Sequence, residues 1–297
     1  MANLKEVRVR ITSVNSTRQI TSAMKMVSAS KLRKAQNAII GMRPYAQKLT
    51  SIMQNLTNDL DGSSDEGVYA ADRGEHKVLI VIITSNRGLC GAFNSNIVKS
   101  AVNLIEGKYA AQHKKSNVDL MCIGKKGADG IISAGYKPID IITDIFDRLS
   151  FENTVPIAEE LMQLFSNKDY DKIVLIYNQF KNAAVQLLQE EQFLPVTDTK
   201  DDSVDIKEEI QANFIFEPNK AEILEALVPK AIKVQLYKAL IDSFASEHGA
   251  RMTAMHQATE NADEMLKDLK LTYNKARQAS ITNEILEIVG GAEALKG

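Results

Sequence analysis

The residues best suited to chemistry follow the first apolar run of the chain. The sequence TSNRGLCGAFN occupies residues 84 to 94, between that run and a helical pattern. A helix N-terminus offers free N–H groups to an anion, so this position suits a phosphate-binding loop. The sequence is neither G-x-G-x-x-G nor G-x-x-x-x-G-K-S/T, and no acidic residue stands where a ribose contact is expected. We therefore prefer a tight strand-to-helix turn, permitted by Gly88 and Gly91, over nucleotide binding.

The histidines and cysteines match no catalytic or metal-binding pattern. Of the four histidines, only His248 and His256 share a predicted helix, and two helical turns separate them, which is too far for a chelating pair. Cys90 and Cys122 are isolated in apolar contexts, which favours reduced thiols in an intracellular protein over a disulfide or zinc site. Cys90 has no obvious base beside it in the sequence. We predict no catalytic residue, no cofactor and no metal.

Strand and helix patterns alternate through the middle of the chain. The run at 77–85 is continuously apolar and β-branched, as in a buried parallel strand. This alternation predicts an α/β fold class, with a small doubly wound, Rossmann-like central domain. The predicted strands are 77–85, 118–124, 138–142, 171–180, 184–195 and 213–218, and the predicted helices are about 94–114, 125–134 and 153–167.

The last part of the chain has the heptad spacing of a long coiled-coil helix. No Pro follows Pro229, which suits the first turn of a helix because its missing N–H costs nothing there. The predicted seam is Leu224, Leu227, Ala231, Val234, Lys238, Ile241, Ala245, His248, Met252, Met255, Thr259, Ala262, Leu266, Leu269, Tyr273 and Ala276.

The first part of the chain repeats this spacing in two apolar blocks. Leu4 to Val14 and Leu32 to Leu60 share one phase, but the seam between them is polar. We expect that stretch to face something other than its coiled-coil mate, although a short polar inset that fixes register is the alternative. Gly41 and Pro44 predict a kink or break in this helix. The polar seam positions are Arg18, Thr21, Lys25 and Ser28, and the apolar residues on the opposite side are Ile20, Ala23, Met24 and Val27.

The order of these segments predicts an antiparallel pairing of the two terminal helices. The predicted domains are an N-terminal coiled-coil helix at 1–60, a Gly-, Ser- and Asp-rich linker at 61–75, the α/β domain at 76–217 and a C-terminal coiled-coil helix at 218–297. Residues 1–60 carry ten Lys and Arg against two Asp and Glu, a net charge of +8. Such a segment seeks an acidic partner, which can be nucleic acid, anionic lipid or an acidic protein surface.

At the end of the last helix, the apolar residues lie on faces other than the coiled-coil seam. An apolar helix tip should not lie bare in water, so we expect the N-terminal helix to cap it or other subunits to enclose it in an apolar sleeve. The longest apolar run, 78–83, is too short to span a bilayer, and any role at a membrane is therefore peripheral. The tip residues are Ile281, Ile285, Leu286, Ile288 and Val289.

Three stretches resemble the gamma subunit family of bacterial F-type, proton-translocating ATP synthases. They are the opening LKEVRVRITSVNSTRQITSAMKMVSASKLRKAQ, the loop SNRGLCGAFN and the close ASEHGARMTAMHQATENADEMLKDLKLTYNKARQASITNEILEIVGGAEAL. The resemblance implies a central stalk that rotates inside a hexamer of three alpha and three beta subunits. It also implies that the α/β domain binds the epsilon subunit and the membrane c-ring, on the cytoplasmic face of the plasma membrane. Proton flow would drive the rotor and thereby ATP synthesis in the beta subunits.

The resemblance also implies contacts with the catalytic subunits. In KARQASIT, Arg277 and Gln278 match a pair that hydrogen-bonds a catalytic-subunit loop, and Thr282 and Glu284 match nearby coupling positions. Residues 181–216 contain no Cys, so the redox control of photosynthetic members is not expected. The matches to the acidic lever of beta are Met24 and Lys25, with Arg251 close to the same level.

Two functions of other classes remain alternatives to a rotor subunit. A nucleotide-binding α/β protein should bind nucleotide by itself through the loop at 84–94. A basic coiled-coil scaffold for nucleic acid or membranes should bind with an affinity that falls steeply with salt.

Overall fold

Two long helices begin and end the described part of the chain. The computed structural model describes residues 4–58, 69, 71, 73–196 and 220–294. Helix α1 is Leu4–Asn58 and helix α6 is Lys220–Ala294. None of the described helices is long and apolar enough to cross a membrane.

Both helices continue through prolines that were expected to limit them. The break predicted at Gly41 and Pro44 does not occur, since α1 continues through both residues and its seam residues Ile39 and Leu49 are buried on either side. The alternative, a kink at this place, stays a prediction. Pro229 is not in the first turn of α6, which begins nine residues earlier. Val228 and Ile232 pack in the apolar core on either side of that proline, and this packing offsets the lost backbone hydrogen bond.

A five-stranded sheet forms the centre of the chain, and the predicted doubly wound fold is confirmed. The strand order is β3-β2-β1-β4-β5; the first four strands are parallel and β5 runs antiparallel to β4. The predicted strand at 213–218 lies outside the described residues. The strands are β1 (Val78–Ile83), β2 (Val118–Ile123), β3 (Asp140–Ile142), β4 (Lys172–Phe180) and β5 (Gln186–Leu194).

Short helices cover both faces of this sheet. The helix predicted at 94–114 is two helices, because Gly107 leaves the helical region at ψ −90 and Tyr109 turns into the core. The side chain of Ser150 accepts a hydrogen bond from the backbone of Asn153 and caps α5. The helices are α2 (Phe93–Glu106), α3 (Ala110–His113), α4 (Lys125–Ser133) and α5 (Phe151–Ser166), with a 3-10 turn at Asp144–Phe146.

The sheet separates two apolar cores, and β1 contributes to both. Its six residues are all fully buried, which explains why 78–83 reads as a continuous apolar run. Leu79, Val81 and Ile83 pack with α5 and with α6, whereas Val78, Ile80 and Ile82 pack with α2 and α4. The α6 residues in the first core are Ile232, Leu236, Ala239 and Leu240.

The chain divides into two compact units. The helix-pair unit comprises residues 1–29 and 251–297, and the sheet unit comprises residues 30–250. Helices α1 and α6 each contribute to both units.

Candidate functional site

Cross-helix hydrogen bonds in the helix-pair unit define an antiparallel coiled coil. Arg8 Nη2 donates to the hydroxyl of Tyr273 at 2.8 Å, and further along α1 Lys25 Nζ lies 3.2 Å from His256 Nδ1. Between these two bonds the residue number rises by 17 on α1, from 8 to 25, and falls by 17 on α6, from 273 to 256. The predicted antiparallel pairing is therefore confirmed, with the seam residues in the predicted phase.

The polar interval of α1 faces α6, so our expectation that it faces elsewhere is wrong. Arg18 Nη1 lies 3.1 Å from Asp263 Oδ1, and the hydroxyls of Thr21 and Thr259 are 2.8 Å apart. The alternative, a polar inset in the seam, is what the structure contains. Buried polar residues at seam positions are known to specify register, because a slipped pairing loses their hydrogen bonds.

We expect the two threonine hydroxyls to be energetically coupled. Thr21→Val or Thr259→Val should each lower the free energy of unfolding by about 1 kcal/mol, and the double variant should cost little more than either single change. Thr17→Val is the control, since Thr17 is exposed and its hydroxyl donates to Ser13 O on its own helix. Urea denaturation of the four variants checks this expectation, and strictly additive losses at Thr21 and Thr259 would contradict the shared bond.

The outer face of α1 carries exposed apolar side chains. Ile20, Met26 and Val27 are 59%, 66% and 58% exposed, although they lie on a helix whose seam is buried. Met24 and Lys25, the predicted contacts with a catalytic subunit, are both half-buried. This face is a candidate surface for a partner protein.

Arg251 differs from the other predicted contact residues because it is only 7% exposed. Its side chain is enclosed by the chain itself, next to a helical stretch in which Glu247 and His248 are also buried. The prediction that Arg251 contacts another subunit remains a prediction.

The end of α6 presents the predicted apolar tip to solvent. Ile281, Ile285, Leu286, Ile288 and Val289 are 45%, 55%, 63%, 70% and 51% exposed. The described part of α1 does not cover them, so capping by the N-terminal helix is not observed. An exposed cluster of five large apolar residues on one helix indicates a surface that a partner encloses.

The predicted coupling residues lie on the helical stretch that leads to this tip. Arg277 and Gln278 are exposed, as are Thr282 and Glu284. The Thr282 hydroxyl donates to Gln278 O at 2.9 Å, which is a bond within the helix, and Ser280 Oγ donates to Glu284 at 3.4 Å. The Arg277 guanidinium and the Gln278 amide therefore face solvent, and their donors suit the carboxylate and carbonyl groups of a partner protein.

The loop after β1 is closed by its own hydrogen bonds. Asn94 Oδ1 accepts from the Ser85 backbone N–H at 3.0 Å, and Asn94 Nδ2 donates to Cys90 Sγ at 3.2 Å. Gly91 has φ +60, which confirms its part in the tight turn, but the other left-handed position is Leu89 with φ +63 and not Gly88. Because Ser85, Cys90 and Asn94 are hydrogen-bonded to one another, this part of the loop forms a turn and is not preorganised to bind a phosphate.

The N-terminus of α4, at the same edge of the sheet, is also occupied by the chain. The Lys125 N–H donates to Asn86 Oδ1 at 3.1 Å, and the Gly127 N–H donates to Thr84 Oγ1 at 2.9 Å. Two of the donors that could bind an anion at a helix N-terminus therefore have partners.

Helix α6 fills the crevice in which doubly wound sheets usually bind their ligands. That crevice lies outside the carboxyl ends of the strands, at the reversal of strand order, which here falls between β1 and β4. Ser243 Oγ donates to the carbonyl of Ile83, the last residue of β1, at 3.4 Å. Gly249 packs on the turn after β4, where an added Cβ would lie 3.2 Å from Cα and O of Ala183. The arrangement disfavours the nucleotide-binding alternative.

The cysteines and potential metal ligands form no reactive centre in the described part of the chain. Burial raises the pKa of the Cys122 thiol to about 12, so this residue stays protonated and inert. Cys90 is buried, forms no disulfide and accepts a hydrogen bond from Asn94 Nδ2 at 3.2 Å. Within residues 4–58, 73–196 and 220–294, no group of three or more His, Cys, Asp or Glu is placed to bind a metal ion.

Sequence reasoning missed the polar pairs across the coiled coil and the position of α6 over the sheet. The complementary charges of Arg18 and Asp263 were visible in the sequence, but pairing them requires the register, which heptads leave open. No sequence signal linked Ser243 to the end of β1, because helical periodicity says only which face of a helix is apolar.

Comparison with known proteins identifies relatives over the whole length of the chain. A family model described as ATP synthase matches residues 3–295. The ATP synthase gamma chain of Christiangramia forsetii is 60% identical over 299 residues, and that of Flavobacterium johnsoniae is 59% identical over 300 residues. Each alignment covers 100% of this chain and 100% of the relative.

Solved structures of ATP synthase share the fold. A chain from the central stalk and c-ring of the Tetrahymena thermophila mitochondrial ATP synthase is 26% identical with a TM-score of 0.57, covering 80% of this chain and 99% of that one. A chain from the Euglena gracilis mitochondrial enzyme, at 22% identity, has a TM-score of 0.65 and covers 98% of this chain and 94% of that chain. The chain has an antiparallel coiled coil, a five-stranded sheet and an exposed helical tip, and both relatives named above are ATP synthase gamma chains that match it over its whole length. The chain therefore belongs to the ATP synthase gamma-chain family.

Proposed function

We propose that this chain is the rotating central stalk of an F-type ATP synthase and transmits rotation between a membrane rotor and the catalytic subunits. The observation that carries this proposal is the apolar tip of α6, whose five large side chains are exposed on a continuous helix. Such a tip needs an enclosing partner, and a hexamer of alpha and beta subunits with an apolar central sleeve would provide one.

The paired terminal helices form the shaft of this stalk, which acts by binding different conformations of the beta subunits with different affinities and catalyses no reaction itself. A partner that binds two conformations of a beta subunit equally well cannot shift the balance between them. The two helices present different side chains around the shaft, with Arg277 and Gln278 on α6 and Ile20 and Val27 on α1. Each rotational angle would therefore stabilise a different set of conformations in the surrounding subunits.

The family resemblance supports specific proposed contacts with the other subunits. Arg277, Gln278, Thr282 and Glu284 would contact the catalytic subunits near the tip. Met24 and Lys25 would meet the acidic lever of beta, with Arg251 close to the same level. The α/β domain, expected at 76–217 between the linker at 61–75 and the C-terminal helix at 218–297, would bind the epsilon subunit and the c-ring at the cytoplasmic face of the bacterial membrane. The N-terminal helix, expected at 1–60 with a net charge of +8, would be attracted to acidic protein surfaces.

Reconstitution with alpha and beta subunits tests this proposal. The chain should co-purify with them as one complex, and their ATP hydrolysis should depend on its presence, whereas the chain alone should hydrolyse no ATP. ATP hydrolysis by the isolated chain would overturn the proposal. Alpha and beta subunits that do not bind the full chain, and whose ATP hydrolysis does not change when it is added, would also overturn it.

A further inference from the structure

One cross-helix contact of the coiled coil joins a lysine to a histidine. Lys25 Nζ on α1 lies 3.2 Å from His256 Nδ1 on α6, and His256 Nε2 lies 3.6 Å from Glu260 Oε1, one turn further along α6. All three residues belong to the helix-pair unit. Within the described part of that unit, Lys25 and Glu260 are the charged groups in contact with the imidazole. The ring therefore lies between a cation on α1 and a carboxylate on its own helix.

The lysine determines which nitrogen of the neutral ring carries the proton. An ammonium group has three donors and no acceptor, so Nδ1 of His256 can accept a hydrogen bond from Lys25 only through a free lone pair. The neutral ring then has its proton on Nε2, the nitrogen that faces Glu260. In this form the imidazole holds the Lys25 ammonium beside α6.

The helix backbones on either side of this contact are held by buried residues. Thr21 precedes Lys25 by one helical turn, and its hydroxyl lies 2.8 Å from that of Thr259 on α6. Met255, the residue before His256, is only 4% exposed. The His256 side chain is 51% exposed, so water can exchange protons with its ring. A change in the charge of the ring should therefore move the Lys25 side chain and leave the pairing of the helices unchanged.

Protonation of the ring would reverse its interaction with Lys25. Histidine ordinarily gains its positive charge between about pH 5 and 8. Once Nδ1 of His256 carries a proton, it is a donor that meets the Lys25 ammonium, and the two cations repel each other. The positive ring is attracted by Glu260 on the side of Nε2. Uptake of one proton at Nδ1 thus exchanges the contact with Lys25 for an ion pair with Glu260.

We propose that His256 is a positioning residue for Lys25: its neutral ring holds the ammonium against α6, and its protonated ring releases the ammonium toward an acidic group of a catalytic subunit. The charges of Lys25 and Glu260 cancel while the ring is neutral, and protonation adds one positive charge to this surface. The contact between Lys25 and an acidic partner should therefore strengthen as the pH falls. The inference rests on the proposed function, which supplies that partner.

Cross-linking in the assembled complex measures this contact. The full chain with alpha and beta subunits is treated with a carbodiimide, which joins a lysine amine to a carboxylate that it touches. Peptides that link Lys25 to alpha or beta are quantified by mass spectrometry. His256→Gln keeps an oxygen that can accept from Lys25 but takes up no proton, whereas His256→Leu removes the acceptor. Each yield is divided by that of His256→Gln at the same pH, so that the pH dependence of the reagent cancels.

The wild-type yield should equal that of His256→Gln at about pH 7.5 and exceed it about threefold at about pH 6, an effect of the size found for exposed charge pairs. His256→Leu should exceed His256→Gln about threefold at both pH values, because its lysine is never held. Lys25→Met should abolish the cross-link. His76→Gln is the matched control, since His76 is an exposed histidine of the sheet unit, and its yield should equal that of the wild type at both pH values.

The outcomes separate the inference from the proposed function. A wild-type yield in the same ratio to His256→Gln at both pH values would overturn the inference, as would a complex in which Lys25 forms no cross-link to alpha or beta. Nitrogen NMR of the isolated full chain at about pH 8 should find the His256 proton on Nε2, and a proton on Nδ1 would overturn the inference without reference to any other subunit. A wild-type chain that forms no complex with alpha and beta subunits would instead overturn the proposed function.

Discussion

Replacing Arg277 and Gln278 together by Ala should slow ATP turnover by the assembled complex about tenfold, which corresponds to a coupling free energy in the usual range of 1–3 kcal/mol. Both side chains are exposed on α6, so we expect their loss to remove the proposed partner contacts and to leave the packing of the chain unchanged. The measurement is steady-state ATP hydrolysis by alpha, beta and the variant chain, with helical content recorded by circular dichroism.

A control for this variant lies on the same helix. Gln257→Ala with Lys267→Ala also removes one amide and one basic group, and both positions are exposed. We expect turnover with this control to match the wild type. Unchanged turnover in the Arg277 and Gln278 variant would show that these residues are not the contact through which the tip acts.

Gly124→Ala should destabilise the α/β domain by more than about 3 kcal/mol, since both its backbone conformation and its surroundings exclude a side chain. Gly124 has φ 108 and ψ 135, a region that residues with a Cβ rarely adopt. An added Cβ would also lie 2.3 Å from the carbonyl oxygen of Thr84. That backbone cannot withdraw easily, because the Thr84 N–H donates to the Ile123 carbonyl at 2.8 Å.

Gly91→Ala separates the cost of the backbone conformation from the cost of the steric clash with Thr84. Gly91 also has a positive φ, +60, but an added Cβ there would meet nothing within 4 Å. We expect this change to cost about 1 kcal/mol, the usual penalty for the left-handed conformation. Thermal unfolding of both variants provides the measurement, and equal losses at the two glycines would contradict the close approach between Gly124 and Thr84.

The terminal helices and the sheet were predictable because their signals are local. The seam from Val7 to Leu49 has a helical period of apolar residues, and the strand at 78–83 is an uninterrupted apolar run. Each of these patterns predicts directly which residues are buried. The loop at 84–94 was correctly preferred as a turn, since its glycines match no phosphate-binding spacing. These features depend on residues that are close in the sequence.

Features that depend on distant residues were not predictable in the same way. The polar seam of α1 suggested an external partner, whereas Thr21 pairs with Thr259, 238 positions away. Gln235 and Glu191 are 44 positions apart, and nothing in the sequence of either segment indicates their contact. The break predicted at Pro44 was wrong for a related reason, since packing around Ile39 and Leu49 outweighs the local cost of the proline. The helix start predicted at Pro229 was wrong in the same way, because Ile232 packs in the apolar core beside it.

The positive charge of the N-terminal segment predicts an acidic partner, and the structure shows which basic groups already have partners within the chain. The N-terminal 60 residues have a net charge of +8, but part of this charge is engaged within the chain, by Arg18 with Asp263 and by Lys25 with His256. The exposed Arg10 and the exposed apolar residues Ile20 and Val27 give this part of α1 a mixed basic and apolar surface, which suits an acidic protein partner better than a nucleic acid.

Direct observation of rotation tests the central claim. A complex of this chain with alpha and beta subunits is fixed to a surface through the hexamer, and a probe on the α/β domain is followed during ATP hydrolysis. We predict continued rotation in one direction that stops when ATP is removed. A probe that stays fixed relative to the hexamer while ATP is hydrolysed would contradict the account.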